Sequence, residues 1–207
     1  MKYLFMDLET SGLPVDFSAK ITDTANWPRI VQIAAILTDE SGGVLKELDL
    51  IVQPSNFKIE NAYIHGITQE IAAKQGVQLS FALRLLNSIV KNDTTIVCHN
   101  VDFDIPVLMC ELYRVGLFDP FFDRNFICTQ KQTAELLQIP YPAPGFEGQK
   151  WKWPSLAELH RWCGFGEVKR AHTAFADARA CMNCFFFIKK NQPGTFASFY
   201  GLSTLKL

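Results

Sequence analysis

The chain has 207 residues, 48% hydrophobic and 20% charged, enough apolar mass to enclose a core and too much for a disordered or coiled-coil chain. Against 21 Asp and Glu stand 20 Lys and Arg, a net charge of −1, so bulk positive charge does not hold a polyanion here; phosphate binding must be local or assisted by metal ions. No run approaches the roughly 18 apolar residues of a membrane span, Asp7 comes too early for a signal peptide, and six cysteines scattered through apolar segments suit reduced thiols in a cytoplasmic protein.

Residues 2–9 read as a short strand that delivers Asp7 and Glu9 at its far end, followed by a loop over 12–28 containing Gly12, Pro14 and Pro28. The β-branched runs 30–37 and 44–52 flank Asp39-Glu40-Ser41-Gly42-Gly43, which has hairpin-turn chemistry, so three antiparallel strands in a meander are expected. Leu79, Leu83, Leu86 and Val90 give helical spacing over 79–91. A strand at Thr94–Cys98 precedes a helix from about 103 to 115 ended by Gly116, with Asp102 as its N-cap. A brief strand over 126–129 leads into a helix near 130–138. The Pro- and Gly-rich stretch 140–154 is an irregular loop, Ser155 caps a helix to about 163, and a long helix over 174–190 stops before Pro193-Gly194. The order βββ-α-β-α-β-α-α predicts one α/β domain, 1–207, with a mixed β-sheet of three antiparallel strands plus parallel strands flanked by α-helices; the motif-bearing core spans about 2–190 and a short tail 191–207.

Asp7 and Glu9 lie two apart on a strand, so both carboxylates project from one face. Two buried neighbouring anions repel, and a divalent cation resolves the conflict; by itself the pair also reads as a strand end entering a polar turn. Asp104 falls in the first turn of the helix after Thr94–Cys98, at the sheet edge where sites of α/β folds gather; an acid there also simply favours the helix dipole. His172 and Asp177 are five apart and converge only if His172 lies on the loop before the last helix and Asp177 in its first turn, with Thr173 as a cap. Taken as a set, four acids at element ends suit two Mg²⁺ or Mn²⁺ ions about 3.5–4 Å apart, the arrangement that clamps an in-line phosphoryl displacement. The imidazole of His172, the side chain most often used as a general base, suits it to accept a proton from the attacking water.

The segments Phe5-Met6-Asp7-Leu8-Glu9-Thr10-Ser11-Gly12-Leu13, His99-Asn100-Val101-Asp102-Phe103-Asp104 and Ala171-His172-Thr173-Ala174-Phe175-Ala176-Asp177-Ala178 resemble the three motifs of DEDDh-type exonucleases. That group, in the ribonuclease-H-like superfamily, includes the proofreading epsilon subunit of DNA polymerase III. Pro28-Arg29-Ile30-Val31-Gln32-Ile33-Ala34 and His65-Gly66-Ile67-Thr68 are similar to further family segments, in order over about residues 3–188. The resemblance implies a ribonuclease-H-like fold and hydrolysis of phosphodiester bonds at the 3′ end of single-stranded nucleic acid, with release of 5′-mononucleotides. It implies Asp7, Glu9, Asp104 and Asp177 as ligands of two divalent metal ions, Mg²⁺ or Mn²⁺, and His172 as general base. Thr10 and Leu13 match positions that meet the terminal nucleotide. Phe103 lies near them or packs in the core; His65 lines the substrate groove or caps its own turn. DNA is the favoured substrate, with an RNA-trimming or oligoribonuclease-like enzyme as the alternative and a non-catalytic polymerase accessory as a third reading. A DNA polymerase partner is compatible with the resemblance; a membrane is not expected.

Three further features stand outside the motifs. Lys150-Trp151-Lys152-Trp153 interleaves cations and indoles, which stacks bases or anchors the Pro-rich loop. Lys169 and Arg170, beside His172, hold the scissile strand's backbone or form a solvated loop. His160-x-x-Cys163 and Cys181-x-x-Cys184 have zinc-site spacing, but both pairs fall in predicted helices, where packing is the expectation.

Overall fold

Lys2–Thr10 (β1) occupies the centre of a five-stranded sheet in the computed structural model, which describes residues 1–117, 120–121, 124–141 and 150–199. It pairs antiparallel with Ile30–Asp39 (β2) and parallel with Thr94–Cys98 (β4); Val44–Ile51 (β3) and Phe126–Cys128 (β5) complete the order β3-β2-β1-β4-β5. The mixed sheet and its three antiparallel strands are those expected from the sequence. Both faces of β1 are covered, which is why it reads as a nearly continuous apolar run. β3 is the exposed edge and carries Lys46, Glu47 and Asp49, charges that discourage edge-to-edge pairing. In the β2–β3 hairpin, Asp39 Oδ1 accepts the N–H groups of Ser41 (2.8 Å) and Gly43 (2.9 Å), and Gly42 takes φ 98°.

Alternation along β1 sorts the core into two layers. Leu4, Met6 and Leu8 face the helices Leu79–Ile89 (α3) and Val101–Arg114 (α4), meeting Leu83, Leu86, Ile105 and Leu108. Tyr3 and Phe5 face the long helix Ala174–Asn191 (α8), where the Phe185 ring centroid lies 4.8 Å from Tyr3 and 5.3 Å from Phe5. The same parity puts Asp7 and Glu9 on the α8 side.

Four local expectations are corrected. The helix placed at 103–115 begins at Val101: the Asn100 carbonyl accepts the N–H groups of Phe103 (3.0 Å) and Asp104 (3.2 Å), so Asn100, not Asp102, is the N-cap. Asp102 sits in the first turn, paired with Lys131. The single helix near 130–138 is two short ones, Thr129–Gln132 (α5) and Ala134–Leu137 (α6), parted at Thr133 and ended by Gln138 in the left-handed region at φ 51°. Two helices, Ala62–His65 (α1) and Gln69–Gln75 (α2), were not anticipated. They are single or double turns, too short for a periodic apolar pattern; the signals available were Gly66 at φ 76°, which closes α1, and the Thr68 hydroxyl, which caps α2 by accepting the Ile71 N–H at 3.1 Å. Thr173 flanks α8 as expected, yet its hydroxyl donates to the Arg170 carbonyl and caps nothing.

Ser155 forms a capping box with Glu158 at the start of Leu156–Trp162 (α7), as its position suggests. The centre of the 140–154 loop, with Pro142, Pro144, Gly145 and Gly148, and residues 200–207 of the tail lie outside the described residues. Among those described, no helix is long and apolar enough to cross a membrane.

Candidate active site

Three carboxylates meet where the C-terminal end of β1 faces the first turn of α8. One oxygen from each of Asp7, Glu9 and Asp177 lies within 4.8 Å of the others, and among the described residues no other His, Cys, Asp or Glu group is close enough to hold an ion. Asp104 enters from the other side of the sheet, on the first turn of α4. Its buried carboxylate Oδ1 accepts the Leu8 N–H at 3.2 Å, tying α4 to the backbone between the two acids of β1. Three elements distant in sequence, β1, α4 and α8, thus bring these four acids to one end of the central strand.

The electrostatics are those of a site that wants positive charge. Burial, then Asp104, Asp177 and Glu9, push the Asp7 carboxyl well above the usual range. Burial, then Asp177, raise Glu9 from 4.5 to about 7. Burial is also the main cause at Asp104, raised from 3.8 to about 8 despite the Leu8 hydrogen bond, with Glu9 and Asp177 adding to it. Asp177 is raised by burial and partly relieved by its hydrogen bond from His172. All four move in the direction expected of carboxylates that lack a counter-ion. Hard oxygen donors with this excess of negative charge fit divalent cations such as Mg²⁺ or Mn²⁺.

His172 is exposed on the loop before α8, and its backbone N–H donates to Asp177 Oδ2 at 3.1 Å, the convergence that their spacing required. It adopts φ 65° and Arg170 φ 58°, so two non-glycine residues within three positions occupy the left-handed region. Such strained conformations gather at functional sites, at a cost of about 1–3 kcal/mol each. Arg170 is exposed beside it.

The other predicted residues divide. Thr10 follows Glu9 across a register shift in the β1–β2 pairing; its hydroxyl donates to the Gly12 carbonyl at 2.6 Å and its carbonyl accepts Asn61 Nδ2–H at 2.7 Å. Leu13, just beyond, is 74% exposed. The loop carrying it is anchored by reciprocal hydrogen bonds between Asn26 and the Asp16 backbone and by the wholly buried Glu111, whose Oε1 accepts Arg29 Nε–H (2.8 Å) and the Ile30 N–H (3.1 Å) and forms an ion pair with Arg114 Nη1 at 3.2 Å. Phe103 is half-buried and packs against the α3–α4 core layer. His65 is buried in α1, and Nδ1 accepts the Ile67 N–H at 3.1 Å, the turn-capping role; burial lowers its pKa. His99, in the second motif, is also structural: its ring bridges Thr129 Oγ1 and the Pro154 carbonyl, both at 3.0 Å, and burial lowers it to about 4. The zinc-like spacing does not assemble: His160 Nδ1 meets the Gly166 carbonyl at 2.9 Å, and Cys181 lies 3.5 Å from Thr129 Oγ1.

One contributor carries no motif role that the sequence reveals. Gln32, opposite Glu9 in β2, accepts the Ala174 N–H on its Oε1 at 3.1 Å and donates from Nε2 to Asp49 Oδ1 at 2.6 Å. It supplies the cap that Thr173 does not, and so fixes the first turn of α8, which bears Asp177. The partners are 142 residues apart, and no spacing rule connects them.

The family model described as Exonuclease (RNase_T) matches residues 4–185. No curated protein matches the chain significantly. Among solved structures, E. coli exonuclease I in complex with a dA16 oligonucleotide is 25% identical with a TM-score of 0.69, the match covering 95% of this chain and 42% of that one. The zinc-bound form of the E. coli exonuclease I–single-stranded DNA complex is 23% identical (TM-score 0.71; 95% and 42%). Exonuclease I from Methylocaldum szegediense is 23% identical (TM-score 0.72; 94% and 42%), and at this identity these two speak for the fold. The chain spans about two fifths of the length of these enzymes, 42% in each case. With the family match covering most of its residues, a ribonuclease-H-like sheet, and Asp7, Glu9 and Asp177 converging at the end of its central strand, the chain belongs to the exonuclease family.

Proposed function

We propose that this chain hydrolyses phosphodiester bonds at the 3′ end of single-stranded nucleic acid, DNA by preference, and releases 5′-mononucleotides. The observation that carries the reading is the meeting of Asp7, Glu9 and Asp177 oxygens within 4.8 Å, with the charge of buried Asp104 pressing on the Asp7 carboxyl. These four carboxylates would hold two divalent ions, Mg²⁺ or Mn²⁺, which when bound neutralise charge on the phosphoryl group and favour ionisation of water. Asp104 is held for this by Leu8, and Asp177 by the capped first turn of α8. His172, exposed beside Asp177, accepts the proton of the attacking water. Thr10 and Leu13, at the exit of β1, meet the terminal nucleotide, and Arg170 meets the strand's phosphates. His65 supports that rim through its turn, and Phe103 through its half-buried ring. The dA16 oligonucleotide in the E. coli exonuclease I complex supports the choice of substrate; a polymerase partner finds no support in these similarities. Residues 2–190 form the motif-bearing core of one domain, and buried free thiols at all six cysteines suit a cytoplasmic setting.

Matched DNA and RNA strands labelled at one end or the other, sampled over time in Mg²⁺, Mn²⁺ and EDTA, test the proposal. Stepwise shortening from the 3′ end in either metal and none in EDTA is expected. His172→Ala should lower kcat by about 10²–10⁴-fold, and Asp7→Ala should abolish turnover. A near-wild-type rate in either variant would overturn the site, and shortening from the 5′ end would overturn the polarity.

A further inference from the structure

Of the four residues in Lys150-Trp151-Lys152-Trp153, three are engaged locally. Trp151 Nε1–H donates to Glu135 at 3.1 Å, Lys150 lies over the Trp151 ring, and Lys152 pairs with Glu158. Trp153 differs. Its indole is 40% exposed, although the backbone around it is held firmly. The Lys152 N–H donates to the Ile139 carbonyl at 2.9 Å, the Pro154 carbonyl accepts His99 Nε2–H at 3.0 Å, and Ser155 opens the capping box. Lys131 Nζ sits 4.3 Å from the ring centroid, a cation–π contact over one face. The same ammonium pairs with Asp102, two residues before Asp104 in the first turn of α4. Lys131 thus links the indole to the first turn of α4, the turn that also bears Asp104, and His99 ties the backbone beside Trp153 to the end of β4.

We propose that Trp153, braced by Lys131, is a stacking site for a base of the single-stranded substrate, upstream of the bond that is cut. A tryptophan needed only to anchor the loop would bury its ring. This one is fixed in position at both backbone neighbours and on one face, and still leaves a large apolar surface in water, the condition in which stacking on a base is favourable. Lys131 is compensated by Asp102, so the site recognises the base and not the phosphate. Its contribution is accordingly insensitive to salt, unlike that of phosphate contacts.

The inference rests on the exonuclease reading, and its test separates the two. Trp153→Ala should raise KM for a single-stranded oligonucleotide about 5- to 10-fold, the lower part of the range for loss of one base–aromatic stack, with kcat unchanged. Trp153→Phe should restore most of the loss. Hydrolysis of thymidine 5′-monophosphate p-nitrophenyl ester, which has no upstream base, should be the same in all three proteins. Anisotropy of a labelled oligonucleotide in EDTA should show the same 5- to 10-fold weakening at about 50 mM and about 200 mM salt. Equal affinity of Trp153→Ala and wild type overturns the stacking site whatever the turnover. A parallel loss on the p-nitrophenyl ester also overturns it, because Trp153 would then be shaping the acid cluster. Failure of the wild type to cut either compound overturns the exonuclease reading, while the anisotropy still decides Trp153.

Discussion

Replacing Asp104 by Asn tests the electrostatics of the site with little change in shape, since the amide oxygen can still accept the Leu8 N–H that Asp104 Oδ1 accepts at 3.2 Å. In the folded, metal-free protein the carboxyl titrates at about 8 against an ordinary 3.8. Between those values the folded state keeps a proton that the unfolded chain releases. Stability therefore falls as pH rises through this window, and the whole loss is present above about pH 8. At pH 7 the unfolded chain has ionised the group about three units above its own pKa, which at about 1.4 kcal/mol per unit favours unfolding by roughly 4 kcal/mol. Neighbouring acids share protons with Asp104, so that figure is a ceiling. Half of it, about 2 kcal/mol, moves the melting midpoint by about 4–8 °C in a domain of this size. Thermal denaturation in EDTA should show wild type losing stability between pH 5 and pH 8, and Asp104→Asn melting higher at pH 8 with a smaller advantage at pH 5. Mg²⁺ should then stabilise wild type more than the variant. Equal midpoints at pH 8 in EDTA, or a wild-type profile flat from pH 5 to pH 8, would refute the convergence of buried charges.

Two further outcomes are expected. Gln32→Leu removes the acceptor at Ala174 and should weaken Mn²⁺ binding, read from the free-ion electron spin resonance signal, by about 10-fold or more; Asp49→Asn, which keeps an acceptor for the Gln32 amide, should bind as wild type does. Unchanged Mn²⁺ affinity in Gln32→Leu would leave α8 positioned by its packing alone. Glu111→Ala strands the Arg29 and Arg114 guanidiniums around an empty acceptor site and should lower unfolding stability by about 3 kcal/mol in urea titrations; a loss below about 1 kcal/mol would mean that the 11–29 loop is held by its other hydrogen bonds.

Much of the layout was legible in residue order because it is written in short-range patterns. Alternation along residues 2–9 identified a strand, observed over Lys2–Thr10, and put Asp7 and Glu9 on one side of it. The Asp39–Gly43 turn, the Ser155 cap and the long apolar helix before Pro193 follow from local hydrogen-bonding chemistry and helical period, which need no distant partner. Where two local solutions compete, order alone did not choose. Asn100 and Asp102 can each flank a helix, and the choice went to Asn100, leaving Asp102 to pair with Lys131. Thr173 has a capping side chain, yet Gln32 reaches across from β2 and takes that place.

Residue order by itself determined the individual strands, the main helices and the roster of acids, since each is read from neighbours within a turn or a strand. Only the tertiary structure decided that Asp104 reaches around the sheet to Leu8, that Gln32 caps α8, and that Trp153 rather than Trp151 keeps its ring in water. Those outcomes belong to contacts between segments far apart in the chain, whose free energies come from packing and desolvation and leave no periodic trace in the sequence that makes them.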